Sequence, residues 1–127
     1  MNSIQSIPRK LALAIFAFVA LFNTSFGASI GDMNKDALAA MKSGKWAEAQ
    51  AVLVKATNAY DSRAPQLYGP RFGWFWYHRG YCEIKLGMFG DAMKSFEKCY
   101  KRYPNTKPKE GEAPSKNMYN KLSLLMW

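Results

Sequence analysis

The feature that most constrains this chain is a spacing. Lys42-Ser43-Gly44-Lys45-Trp46-Ala47-Glu48-Ala49 and Lys85-Leu86-Gly87-Met88-Phe89-Gly90-Asp91-Ala92 share one order, a Gly, an aromatic two residues on, an acid and an Ala, at an offset of 43 residues. The same offset relates small residues at Ala37, Gly80 and Ser123, and bulky apolar residues four positions earlier at Met33, Trp76 and Tyr119. One phase therefore runs through three units, the last reaching Trp127 after a single helix. A period of this length marks stacked supersecondary units that bury their apolar faces only against neighbours.

Within a unit the apolar spacing is helical. Trp76, Gly80 and Ile84 recur every four residues, and Ala92, Phe96 and Cys99 follow at four and three, so each set lies on one helix face. The pattern predicts helices over Asp32–Ser43, Trp46–Tyr60, Trp74–Leu86 and Asp91–Tyr103, and a further one from Lys116. Gly87 and Gly90 punctuate one turn, and Pro104 stops the helix before it because it cannot continue the hydrogen-bond ladder. The fold class implied is all-α: stacked antiparallel helix hairpins forming a solenoid, with two full repeats and a C-terminal single helix.

At this point the residues resemble the tetratricopeptide repeat (TPR) family, a helix–turn–helix with an early Trp, then Gly, later Ala and Phe, and a terminal Pro. Trp76, Gly80, Phe89, Ala92, Phe96 and Pro104 match in order and spacing. Repeat 1 is placed at 30–63, where Ala37, Gly44, Trp46, Ala49, Leu53 and Ala56 fit and Asp61 stands where Pro is expected. Repeat 2 is placed at 73–106 and a partial repeat or capping helix at 116–127. Connectors at 64–72 and 107–115, each with two prolines, account for a period longer than the family's 34 residues. HEAT-type repeats have a period near 43, but the Trp–Gly–Ala–Phe–Pro spacing argues against them. Arg79 departs from the pattern, standing where the family prefers an apolar residue.

The resemblance implies a concave groove, lined by the first helix of each pair, that holds a protein or peptide. Carried onto this chain, the groove positions are Asn34, Leu38 and Lys42, then Trp74, Tyr77, Tyr81 and Lys85, then Asn120 and Leu124. Of these, Asn34, Lys42, Trp74, Tyr77, Tyr81 and Lys85 are the candidate partner-binding residues. The aromatics suit apolar anchors and the lysines suit acidic groups, which points to an acidic partner. The other reading of Trp74, Tyr77 and Tyr81 is that they pack beneath the 64–72 connector.

The N-terminus has a different character. Arg9-Lys10, an unbroken apolar run of twelve residues at Leu11–Phe22, and small residues at Ser25 and Gly27 are the parts of a secretory signal. Residues 1–27 are expected to be a signal peptide cleaved after Gly27, which makes the protein exported, periplasmic or secreted. An uncleaved membrane anchor is the alternative, although spanning takes about 20 apolar residues. Without the signal, 16 basic and 9 acidic residues leave a formal charge of +7. That charge suits acidic proteins, anionic lipid or cell-wall polymer, and export argues against nucleic acid. Lys98, Lys101 and Arg102 also read as cations closing a helix C-terminus.

No catalytic residue, metal site or cofactor is expected. His78 is the single histidine, and the sequence holds no Gly-rich phosphate loop. A Cys82–His78 nucleophile pair, four residues apart on one helix, competes with a surface histidine beside a core cysteine. In the expected hairpin Gly80 faces Ala92 and Cys99 lies level with Gly73. That register puts Cys82 and Cys99 roughly 13 Å apart along the axis, too far for a disulfide. The leading function is an exported, non-enzymatic scaffold or adaptor, with the chain the N-terminal part of a longer repeat protein. The alternative is a membrane-anchored envelope module that binds anionic lipid or cell-wall polymer through its basic hairpins.

Overall fold

A computed structural model describes residues 29–63 and 69–126. The expected signal peptide, residues 64–68 of the first connector and Trp127 lie outside the described residues. The chain divides into two compact units, Met1–Asp32 and Met33–Trp127. Of the first, only the start of a helix is described, where Ser29 Oγ accepts from the Asp32 N–H at 3.1 Å. The helix stack belongs to the second.

Among the described residues there are five α-helices and no strand: α1 (Ile30–Lys42), α2 (Trp46–Tyr60), α3 (Gly73–Lys85), α4 (Phe89–Arg102) and α5 (Ser115–Leu125). They form a TPR-like helical repeat, with α2 packed on α3, α3 on α4 and α4 on α5. The two hairpin turns are built alike. At the end of α1, the Lys45 N–H donates to Ala40 O at 2.8 Å and the Gly44 N–H to Met41 O at 3.0 Å. At the end of α3, Met88 donates to Glu83 O at 2.8 Å and Gly87 to Ile84 O at 3.0 Å. This paired closure needs a left-handed residue, and Gly44 and Gly87 supply it with φ of 71° and 75°. Gly90, in contrast, lies inside α4, which begins at Phe89, two residues earlier than the spacing predicts.

The repeat phase is visible in the core. Met33 and Trp76, Ala37 and Gly80, Ala49 and Ala92, Leu53 and Phe96, and Ala56 and Cys99 are buried pairs 43 residues apart. The room left at Gly80 is filled by the Phe96 ring: a Cβ added there would stand 2.8 Å from Phe96 Cε2. Gly73 meets Tyr103 and Thr106 in the same way, with a virtual Cβ 2.8 Å from Tyr103 Cβ. The register agrees with the expected one, since Cys99 Sγ sits 3.3 Å from Gly73 O. Cys82 and Cys99 are both buried free thiols.

Two polar clusters tie the stack together, and both centre on departures from the family pattern. Arg79 donates from Nη1 to Thr57 Oγ1 at 2.8 Å, and its Nε lies 3.6 Å from Glu83 Oε2. Glu83, 1% exposed, also accepts from Gln50 Nε2 at 3.3 Å and Ser95 Oγ at 2.5 Å. A buried carboxylate is tolerated only when paired and hydrogen-bonded, and here α2, α3 and α4 each contribute to that. Arg79 is therefore a partner for this carboxylate and leaves the packing of α3 intact.

The second cluster surrounds Asp61, at the end of α2 where the family expects Pro. Its Oδ1 accepts from Trp76 Nε1 at 2.8 Å and Tyr103 OH at 2.9 Å, and its other oxygen is paired with Arg102. Trp76 and Tyr103 are 8% and 3% exposed, so their polar atoms need a partner, and a proline could not accept. Arg102 thus belongs to an inter-repeat ion pair, while Lys101 pairs with Glu97 at 3.3 Å on the surface of α4.

Candidate functional site

The first helices of the two hairpins, α1 and α3, present one cleft. Its volume is 390 Å³, and Leu38, Met41 and Lys42 of α1 face His78 and Tyr81 of α3 across it. A third wall comes from the second connector, through Lys109 and Glu112. That wall is held in shape locally, because the Lys109 N–H donates to Glu112 Oε1 at 3.0 Å and the Glu112 N–H to Lys109 O at 2.9 Å. Gly111 supports the turn with φ of 85°.

Of the six candidate residues, Lys42 and Tyr81 line the cleft. Lys42 is exposed and sits in the last turn of α1. Tyr81 is half-buried and tilts against Trp46 with ring centroids 5.7 Å apart, while the exposed Lys85 ammonium lies 5.5 Å from both ring centroids. Lys85 thus caps an aromatic pair beside the cleft. Asn34 is half-buried on α1. Trp74 is half-buried and stacks on His78 at 5.3 Å.

Tyr77 is placed differently from the expected groove position. It is 3% exposed, its hydroxyl donates to Ala113 O at 2.7 Å, and its ring meets Phe96 edge-on at 5.4 Å. It packs beneath a connector, 107–115, through Ala113; residues 64–68 of the other connector lie outside the described residues. Burial, with Glu112 adding to it, pushes the Tyr77 phenol up to about 12. The last groove positions, Asn120 and Leu124, are exposed on α5.

His78 corrects the expectation of a surface histidine. It is 6% exposed, and its Nδ1 has no hydrogen-bond partner. Burial, with Lys109 adding to it, lowers its pKa to about 4, so the ring is neutral at neutral pH. The same desolvation raises the Cys82 thiol to about 11. An activated nucleophile needs the opposite shift. Among the described residues no group of three or more His, Cys, Asp and Glu side chains could hold a metal ion.

Met41, His78, Lys109 and Glu112 are cleft residues that the expected groove positions do not include. His78 is four residues from Trp74 and three from Tyr81, so helical spacing contains the signal for it. Lys109 and Glu112 carry no such signal, because no periodicity gives the path of a connector.

With this geometry in view, comparison with known proteins is informative for one segment. Residues 75–106 match the tetratricopeptide repeat family model. The matched stretch runs from the first turn of α3 to the turn after α4, the hairpin on which the resemblance is strongest in sequence. It supports a TPR protein, and with it a general role in protein interaction. No curated protein and no solved structure gives a significant match to the chain.

Proposed function

We propose that the protein is an exported, non-enzymatic scaffold or adaptor that binds an acidic protein or peptide in the α1–α3 cleft. The observation that carries this reading is the composition of the cleft: the Lys42 and Lys109 cations border apolar Leu38 and Met41 and the aromatic Tyr81, and the one carboxylate of the lining, Glu112, accepts from the Lys109 N–H. Such a mixture suits a segment that alternates apolar side chains with carboxylates, since aromatics anchor interfaces and cations give charge complementarity. Trp74 and Lys85 flank the cleft, and Asn34 extends the same surface along α1. Tyr77 shapes the surface from beneath. TPR modules are interaction modules in general, which agrees with a role that needs no catalytic group.

Export rests on Arg9-Lys10, the Leu11–Phe22 run and the small residues before Ala28. N-terminal sequencing of the protein recovered outside the cytoplasm should begin at Ala28, and an intact Met1 in the membrane fraction would overturn the export reading. Binding is tested by affinity capture from the native envelope with parent, Tyr81→Ala and Lys42→Glu proteins. The same partner should be lost from both variants while their melting temperatures stay within a few degrees of the parent. Capture that both variants retain would exclude the cleft.

A further inference from the structure

The large apolar side chains that stay exposed among the described residues are Leu86, Met88, Phe89, Leu124, Leu125 and Met126, and they gather at one end of the helix stack. Leu86 to Phe89 form the turn between α3 and α4, and the other three end α5. The two groups adjoin, because Met126 Cε lies 3.9 Å from the place a Cβ on Gly90 would take. Leu124 and Leu125 are 77% and 79% exposed, so they protrude from the surface and line no groove. On the 43-residue phase Leu125 corresponds to Cys82, which is fully buried. A contiguous exposed apolar patch of this kind marks an interaction site with a protein or a membrane.

Charge decides between those occupants. Helix α5 carries Lys116 and Lys121 and no acid. Lys85 precedes Leu86, and Lys94 is exposed on α4, with Asp91 the acid nearby. A second copy meeting this end face to face would bring two acid-free, lysine-bearing helices together, and like charges oppose that contact. A partner helix would need a groove to lie in, whereas these leucines stand proud. A bilayer accepts protruding apolar side chains whatever their arrangement, and anionic headgroups attract the lysines around them. No helix among the described residues is long and apolar enough to cross a membrane, so the contact is peripheral.

We infer that this end of the stack docks on an anionic lipid surface. Leu124, Leu125, Met88 and Phe89 enter the interface, and Lys85 and Lys121 meet the headgroups. This surface meets the cleft's edge only at Lys85, and its test, which leaves Lys85 unchanged, does not depend on the cleft's partner.

The test is co-sedimentation of the full chain with phosphatidylcholine vesicles that contain either no anionic lipid or about a third phosphatidylglycerol. Binding should favour the anionic vesicles and weaken as salt rises. Leu124→Ser/Leu125→Ser and Met88→Ser/Phe89→Ser should each weaken it by about tenfold or more, because the apolar contact is removed. Leu124 and Leu125 are 77% and 79% exposed, so that variant should melt with the parent, whereas Met88 and Phe89 are 37% and 44% exposed and their variant is compared well below its own melting temperature. The Leu11–Phe22 run can enter vesicles by itself, and the deciding quantity is the difference between parent and variants. Equal binding by parent and both double variants overturns the inference, as does no binding at all. A dimer seen by sedimentation velocity and lost in Leu124→Ser/Leu125→Ser, without a difference in vesicle binding, also overturns it and assigns the patch to a second copy.

Discussion

Replacing Gly80 by Ala adds a single methyl group at the tightest point between α3 and α4. The new Cβ would lie 2.8, 2.9 and 3.0 Å from Phe96 Cε2, Cζ and Cδ2. Phe96 is fully buried and held edge-on by Tyr77 at 5.4 Å, so its ring cannot swing clear without disturbing a second buried ring. Overpacking costs about 1–3 kcal/mol, and with the ring unable to move the upper part of that range, about 2–3 kcal/mol, applies. Ala favours the helix over Gly by about 0.8–1 kcal/mol, which offsets part of it. The net expectation is a destabilisation of about 1–2 kcal/mol, read as a melting temperature about 4–15 °C lower for a domain of this size. Two comparisons sharpen the experiment. Gly90→Ala is the same chemical change, but its Cβ meets only Met126 Cε at 3.9 Å, so it should raise stability by up to about 1 kcal/mol. Phe96→Leu removes the obstructing ring, so Gly80→Ala/Phe96→Leu should be more stable than the sum of the two single effects predicts. Equal melting temperatures for Gly80→Ala and parent, or strict additivity in the double variant, would refute the close-packed register of the second hairpin.

Further expectations concern the polar groups. Asp61→Ala leaves the Trp76 Nε1 and Tyr103 OH donors without their acceptor and should cost about 2–4 kcal/mol in urea unfolding, whereas Asp61→Asn, which keeps an acceptor, should cost less. Burial holds the His78 pKa below its unfolded value of 6.5, at about 4, so its contribution to stability is complete above pH 6.5 and lost as pH falls towards 4. Urea midpoints between pH 7 and 4 should therefore drop more for the parent than for His78→Gln, and parallel profiles would refute the buried neutral ring. For Tyr77 the sign is reversed with respect to pH: its folded pKa is raised from 10.0 to about 12, so stability is lost as pH climbs through that window. Tyr77→Phe should lose about 1 kcal/mol at neutral pH and show a smaller loss between pH 10 and 12.

Much of this architecture is legible in the chain itself. A 43-residue phase of small and bulky residues places every helix within two residues of its observed ends, because helical periodicity and glycine turns are local properties. The site is less legible. Lys42 and Tyr81 follow from the groove positions that the resemblance implies, but Tyr77, another of those positions, is buried, since a connector folds back over it and Ala113 O accepts a hydrogen bond from its hydroxyl. Helical phase gives a direction from the axis and says nothing of what covers it.

The sequence by itself thus determined the helices and the register of the α3–α4 hairpin, through apolar period, glycine and proline. Only the tertiary structure decided the meaning of Arg79 and Asp61, which as isolated residues look like departures from the repeat pattern. Their partners, Glu83 and Thr57 for one and Trp76, Arg102 and Tyr103 for the other, lie 4 to 42 residues away and are mostly on other helices. A buried charge is defined by what surrounds it, and those surroundings exist only once the helices have stacked.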